Sequence, residues 1–549
     1  MSIKPETGKY DLQEEQSPGG AGRQAIAIPS ILKEDRQKKS GKLKMPGLKG
    51  APREEEWEPS ADLSEYKRFI PRHGATPHRA LDQEYVSRSA FADPGVFGRM
   101  FPTLPAVLFT DDSLVKLAER MADPSGGDDN PRLAAGYTFL GQFIDHDITF
   151  DPTSSLEKQN DPEAIHNFRT PLLELDNVYG SGPAASPFLY DVTDGAKLLV
   201  GADTAGQPHD LPRNVQGTAL IGDPRNDENL IVSQLQLAFL RFHNRIVDHI
   251  RAKGAEGGAK VPEPAVFEEA QRIARWHYQW LIVHEFLPRT IGGETFGELS
   301  GVAKKGGGPG QDPIGNVLDD SLKYYRFKEE PFIPVEFAVA AYRFGHSQIR
   351  PGYRINGGFG GAIFPDLAVG PNLDPAKKVL IDGREVDFAN FFETGGTPQP
   401  GKRIDTRISG PLFTLPGAPA GSLMTSLPLR NLKRGNAFRL PWGQRVAHAM
   451  RIKPLTDDEL AIGGETLVSL GFPGGKAPLW YYVLKEAEVR AKGEHLGPVG
   501  GRIVGEVFLG LLKGDFKSYI NQDPDWTPFL PSAKAGDFTI ADLVKFASS

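Results

Sequence analysis

Leu235, Phe239, Phe242, Ile246 and Ile250 step by four, three, four and four residues, one apolar stripe along a helix of about four turns. A helix of that length must bury its stripe against other elements, and three more segments offer the means. Phe267 to Leu287 carries Ile273, Trp276, Trp280 and Val283 at similar steps and is closed by Pro288; Ala338 to Ile349 and Val504 to Tyr519 look alike. Alternating patterns are short, as in Lys378 to Val386, which reads as a small hairpin around Asp382-Gly383. The 62 glycines and 46 prolines among 549 residues add long, irregular connections. The expectation is a mainly α fold: one large helical domain with long loops and few short strands.

Residues 1–60 are polar, with a basic run (Lys38, Lys39, Lys42, Lys44, Lys49) followed by an acidic one (Glu54, Glu55, Glu56, Glu58). They read as a flexible or surface-wrapping arm, and 61–549 as one large folded domain. A net charge of −7 removes any global basic field for nucleic acid. The absence of cysteine excludes disulfides, thiolate catalysis and thiolate-bound metals. No apolar run of about 18 residues or Sec-type leader is visible, so a soluble protein is expected, with its compartment open.

Five segments carry chemistry. In Gly141-Gln-Phe-Ile-Asp-His-Asp, a helix sets Gln142 and Asp145 to one side of His146 and Asp147 to the other. In Gly222-Asp-Pro-Arg-Asn-Asp-Glu-Asn, Asn226 or Asp227 suits a helix cap, whereas the cation of Arg225 is unfavourable at a helix start and makes sense aimed at an anion. In Tyr342-Arg-Phe-Gly-His, Arg343 and His346 share a face and Gly345 admits a bulky planar group. Asn431-Leu-Lys-Arg-Gly offers an amide and a guanidinium. Thr170, Leu172, Glu174 and Asp176 alternate, as oxygen ligands of Ca²⁺ or as the polar face of an edge strand. Taken singly, each histidine also reads as a buried, hydrogen-bonded core residue.

Together and in order, with Leu175-Asp-Asn-Val-Tyr-Gly-Ser and the stretch from Gly510 through Asp523-Pro-Asp-Trp-Thr-Pro, these segments resemble the animal-type haem peroxidase (peroxidase–cyclooxygenase) superfamily over about 85–532. The lack of cysteine looks like its bacterial branch. The resemblance implies haem b, with His146 as distal acid–base group, Arg225 as its cationic partner and Gln142 as a hydrogen bonder to distal water or halide. It implies His346 as proximal iron ligand, Asn431 accepting its other ring N–H, and Arg343 and Arg434 near haem propionates. Asp145 and Glu228 match carboxylates esterified to haem; Asp147, Thr170, Leu172 (carbonyl), Glu174 and Asp176 match a calcium site. Asn229 stands where myeloperoxidase has the methionine of a sulfonium link, so that bond is ruled out. Glu174 replaces the usual Asp.

The implied activity is reduction of hydrogen peroxide through a ferryl intermediate, with oxidation of small organic donors or halides. Alternatives are a fatty-acid dioxygenase of the same superfamily or a non-catalytic adhesion protein. The dioxygenase needs a tyrosine three residues before the proximal histidine, where this chain has Arg343; Tyr342 is one step further. A zinc site on His277 and His284 fails because Pro288 stands where a second histidine of the zinc-protease motif belongs.

Overall fold

The long stripe forms helix Leu230–Lys253, and its ends have local causes. Asn229 caps the start, its side-chain oxygen accepting from the Val232 amide at 3.0 Å. Gly254 ends it at φ 87°, after Arg251 and Lys253 in the last turn, where cations suit the carbonyl end. The cap is therefore Asn229, not Asn226 or Asp227: Pro224–Asp227 forms its own 3₁₀ turn, capped by Asp223. The computed structural model describes residues 97–150, 169–300, 321–328, 330–364, 373, 379–415 and 425–549. These belong to the unit Ile70–Ser549; the arm read over 1–60 lies outside the described residues.

We label Gly136–Ile148 α1, Leu230–Lys253 α2, Val266–Leu281 α3, Pro498–Gly514 α4 and Ile540–Ser548 α5. Helix α2 packs against α1, α3 and α5, and its Leu235, Phe239, Phe242, Ile246 and Ile250 are buried as the spacing requires. Strands are short and pair in twos among the described residues: Phe97–Gly98 with Ile333–Pro334, Ala122–Asp123 with Ile408–Ser409, Asp129–Ala134 with Pro400–Lys402, and Gly352–Arg354 with Gly360–Ala362. None of the described helices is long and apolar enough to cross a membrane.

Four expectations change. Pro288 does not end the second helix: α3 gives way to a π turn, Ile282–Phe286, and a helical stretch Leu287–Ile291 continues. The wider turn shifts the hydrogen-bond register just where Pro288 has no N–H to give. The third helix is a π turn, Glu336–Ala340, running into a 3₁₀ helix, Ala341–Gln348, with the break at Ala340 (φ −128°, ψ −75°). The fourth begins and ends earlier than expected, as α4, and Tyr519 opens a separate turn, Tyr519–Gln522. The Asp382-Gly383 turn exists, with Gly383 at φ 78° and the Arg384 amide bonded to Ile381 O, but its partner is the loop at 204–210.

Candidate active site

His146 sits on α1, buried, with Nδ1 2.6 Å from Asn226 Oδ1. A chain of amides decides which ring nitrogen holds the proton. Gln236 Nε2 donates to the Asn177 carbonyl at 3.1 Å, which fixes the Gln236 amide; its Oε1 then accepts from Asn226 Nδ2 at 2.7 Å. Asn226 Oδ1 is left as an acceptor, so His146 carries its proton on Nδ1 and an open lone pair on Nε2. Nε2 has no hydrogen-bond partner among the described residues. Burial, then the nearby Arg225 charge, depresses the His146 pKa to about 3, keeping the imidazole neutral. Sequence reasoning missed Asn226 and Gln236 in this role. The signal available was a glutamine beside Leu235 on a helix whose neighbouring positions are apolar.

Arg225 is held from behind. Its Nε lies 3.0 Å from Asp223 Oδ1 and Nη2 2.8 Å from Oδ2, while Nη2 also donates to the Thr149 and His146 carbonyls. Against the upward push of burial, Arg225 and Arg169 hold the Asp223 carboxyl down at about 2. Nη1 makes no hydrogen bond to the described residues and remains for a ligand.

Gln142 is oriented just as strictly. The Asn229 oxygen is engaged by the Val232 amide, so Asn229 Nδ2 faces Gln142 Oε1 at 3.3 Å, and Gln142 Nε2 must face Glu228 Oε2, at 3.1 Å. Gln142 therefore has its second N–H, not a carbonyl, to offer beyond Glu228.

The second histidine lies on the 3₁₀ helix Ala341–Gln348, where residues three apart eclipse, bringing Arg343 directly over His346. His346 Nδ1 is 2.8 Å from Asn431 Nδ2, and Arg343 Nη1 is 3.4 Å from Asn431 Oδ1. This differs from the expected acceptor role of Asn431: the guanidinium draws the amide oxygen, leaving the amide nitrogen on the ring. A half-turn of the amide puts the oxygen on Nδ1. Burial and Arg343 hold the His346 pKa at about 3, so this ring is also neutral. Arg434, on helix Leu427–Ala437, lies over the Phe438 ring at 5.2 Å.

The segments meet at Asp145. Its pKa is raised by burial and lowered by both Arg225 and Arg343, so charges from the two histidine-bearing sides reach one carboxyl. The Tyr342 hydroxyl ties them, donating to Gly141 O at 3.1 Å. Asp145 and His346 are half-buried and Glu228 is exposed, so all three side chains border accessible space. A Cβ added at Gly345 would meet nothing within 4 Å. Neutral imidazole, open room beside it and arginines at its edge fit a planar, anionic, iron-bearing group.

The candidate calcium residues also gather. Asp147 Oδ1 accepts from the Asp176 amide at 2.7 Å, Thr170 Oγ1 is 3.3 Å from Asp176 Oδ2, and the Leu172 amide bonds Thr170 O. Leu175, left-handed at φ 63°, turns the chain so that 170–176 is a loop rather than an edge strand. Asp147 Oδ2 and Glu174 Oε1 are buried without a hydrogen-bond partner. Burial, then the Asp176 charge, pushes Asp147 up to about 7 and Glu174 well above its usual range. Orphaned buried carboxylate oxygens fit a hard cation. Yet Asp147, Glu174 and Asp176 are not a group whose ligand atoms all lie within 4.8 Å of one another; Glu174 leans to Arg275 at 3.8 Å. His277 Nδ1 bonds Ile273 O at 2.7 Å, and His284 stacks on Trp280.

A family model described as animal haem peroxidase matches residues 155–362, which hold Arg225, Glu228 and His346. Chorion peroxidase of Aedes aegypti is 25% identical over 332 residues, covering 59% of this chain and 37% of that protein. The chain thus spans well under half the length of the first curated relative. Peroxidase A from Dictyostelium discoideum superposes with a TM-score of 0.55 at 15% identity, covering 85% of this chain and 98% of that one. A fatty acid alpha-dioxygenase of Arabidopsis thaliana gives 0.51 at 14% identity, covering 77% and 74%. The structural likenesses show a shared, mainly α fold.

Proposed function

We propose that this chain, whose match over 155–362 and whose relatives support the animal haem peroxidase family, is a haem b-dependent peroxidase that reduces hydrogen peroxide and oxidises small organic donors or halides. The observation that carries the reading is the fixed tautomer of His146: a buried, neutral ring whose Nε2 lone pair is open, beside an arginine with one free N–H edge. Haem, when bound, would supply the redox centre that gives two electrons to peroxide and regains them from the donors. His346 Nε2 would hold that iron, with the Asn431 amide turned to accept Nδ1–H, and Arg343 and Arg434 would meet the propionates.

His146 Nε2 takes the proton of a peroxide bound in the site and gives it to the departing oxygen. Asn226 Oδ1 stabilises the imidazolium that exists between those events. Arg225 Nη1 meets the negative charge growing on the departing oxygen, and Asp223 keeps the guanidinium in place. The second N–H of Gln142 orients water or halide. Ester bonds from Asp145 and Glu228 to haem, a calcium ion on Asp147, Thr170, Leu172, Glu174 and Asp176, and a bacterial origin belong to the same reading. So does the division into an arm, 1–60, and a catalytic domain, 61–549. The dioxygenase alternative draws on the likeness to the plant enzyme, but the Tyr342 hydroxyl is turned to Gly141 O and Arg343 holds the expected tyrosine position.

The test is a pair of variants read by optical spectroscopy with peroxide mixing. His346→Ala should lose the Soret band of bound haem; His146→Ala should keep it and lose the peroxide reaction. Turnover by His146→Ala at the parent rate would refute the assignment.

A further inference from the structure

Away from that site, two loops bring one imidazole and two carboxylates to a point. His209 Nδ1 lies 3.1 Å from Asp203 Oδ2 and 3.2 Å from Glu385 Oε1, and the ligand atoms of all three lie within 4.8 Å of one another. The ring nitrogen can carry one proton, which cannot serve both oxygens fully. The Asp203 side chain is buried, and its Oδ1 is already occupied by the amides of Ala205 and Gln207, so Oδ2 is the oxygen left to face His209. His209 is the one cationic partner that either carboxylate has among the described residues. The trio therefore holds two negative charges against at most one positive.

The two loops are also joined by bonds that do not involve these three side chains. Thr204 N bonds Leu380 O, Leu380 N bonds Asp210 Oδ2 at 2.8 Å, and Asp382 N bonds Thr204 Oγ1 at 2.9 Å. Gln234 on α2 clips both strips, donating to His209 O at 2.8 Å and accepting from Val386 N at 3.5 Å. Ligands on prearranged backbone lose little freedom on binding.

We propose that Asp203, His209 and Glu385 form a binding site for one first-row divalent cation such as Zn²⁺, taking one imidazole nitrogen and two carboxylate oxygens, with water completing the shell. The nitrogen donor favours such an ion over Ca²⁺ or Mg²⁺, which prefer oxygen alone. Binding fastens the 203–210 loop to the 380–385 turn and moves the ring proton to Nε2, at the solvent side.

Isothermal titration of the full chain with Zn²⁺, in buffer saturated with Ca²⁺, tests this. One equivalent is expected, with a rise in Tm. His209→Ala and Glu385→Gln, both at partly exposed side chains, should each weaken it at least tenfold, about 1.4 kcal/mol, and abolish the Tm rise. Co²⁺ should give a visible d–d band in the parent that is lost with His209. Equal affinity in the double variant, or no binding by the parent up to about 1 mM, overturns the proposal.

Discussion

At the scale of single residues, the proposed chemistry rests on amides whose orientation is dictated by the backbone. The Asn177 carbonyl sets Gln236, Gln236 sets Asn226, and Asn226 sets His146. Asn226→Leu should therefore leave haem content unchanged while the peroxide rate constant, read by stopped flow, falls about a hundredfold or more, because the ring is free to adopt the wrong tautomer. An unchanged rate would show that the proton position does not matter. A parallel line runs from the Val232 amide through Asn229 and Gln142 to Glu228. Asn229→Asp keeps the helix cap, since aspartate caps as well, but puts a carboxylate where Gln142 Oε1 needs a donor. Unfolding free energy should change by less than about 1 kcal/mol while azide affinity, followed in the haem spectrum, weakens; equal affinity would dismiss this line. Spacing makes neighbours of Gln142 and His146 on one segment and of Arg343 and His346 on another, whereas Arg225 stands out only as a cation at a helix start. Asn226 and Gln236 were not legible in this role, because it exists only where α1 and α2 are packed together.

At the scale of elements, periodicity found the helices and missed their interruptions. A 3.6-residue stripe says which face is buried, and α2 obeyed it. It says nothing of a π turn before Pro288 or of the tighter winding over Ala341–Gln348, since both depend on neighbours supplying hydrogen bonds. Yet the tighter winding brings Arg343 over His346. Helix α2 presents Asn229 at its start and leans on α5 along its back, where Ile540 and Leu543 are fully buried. Thr539 and Asp542 close a capping box at the α5 N-terminus, and the Ile540 amide donates to Glu285 at 2.8 Å. Leu543→Ala should cost about 2–5 kcal/mol by denaturant unfolding. It should leave the His346-dependent haem spectrum intact in the folded fraction. A loss under about 1 kcal/mol would mean that α5 is not integral to the core.

At the scale of the whole molecule, charge is not what the composition suggests. The chain is mildly acidic, but its interior holds neutral imidazoles: burial takes the pKa of His146 and His277 to about 3 and of His243 to about 4. No sequence rule separates these from ordinary surface histidines, because burial is a property of the assembled helices. His277 isolates the effect, as it belongs to no site. It is caged by Phe242, Trp526, Phe529 and Phe538, donates from Nδ1 to Ile273 O at 2.7 Å, and leaves Nε2 buried without a partner. Its folded pKa lies below that of the unfolded chain, near 6.5, so as pH falls from there the unfolded state gains a proton that the folded state refuses. Stability is complete above about 6.5 and drains by about 1.4 kcal/mol per pH unit down to about 3. His277→Phe removes that linkage while filling the same cage; at neutral pH it should cost less than about 1.5 kcal/mol. Between pH 7 and 4.5, urea unfolding should show the parent losing about 2–3 kcal/mol more than the variant. Equal losses would place the His277 proton outside the acid response, leaving His146 and His243 to carry it.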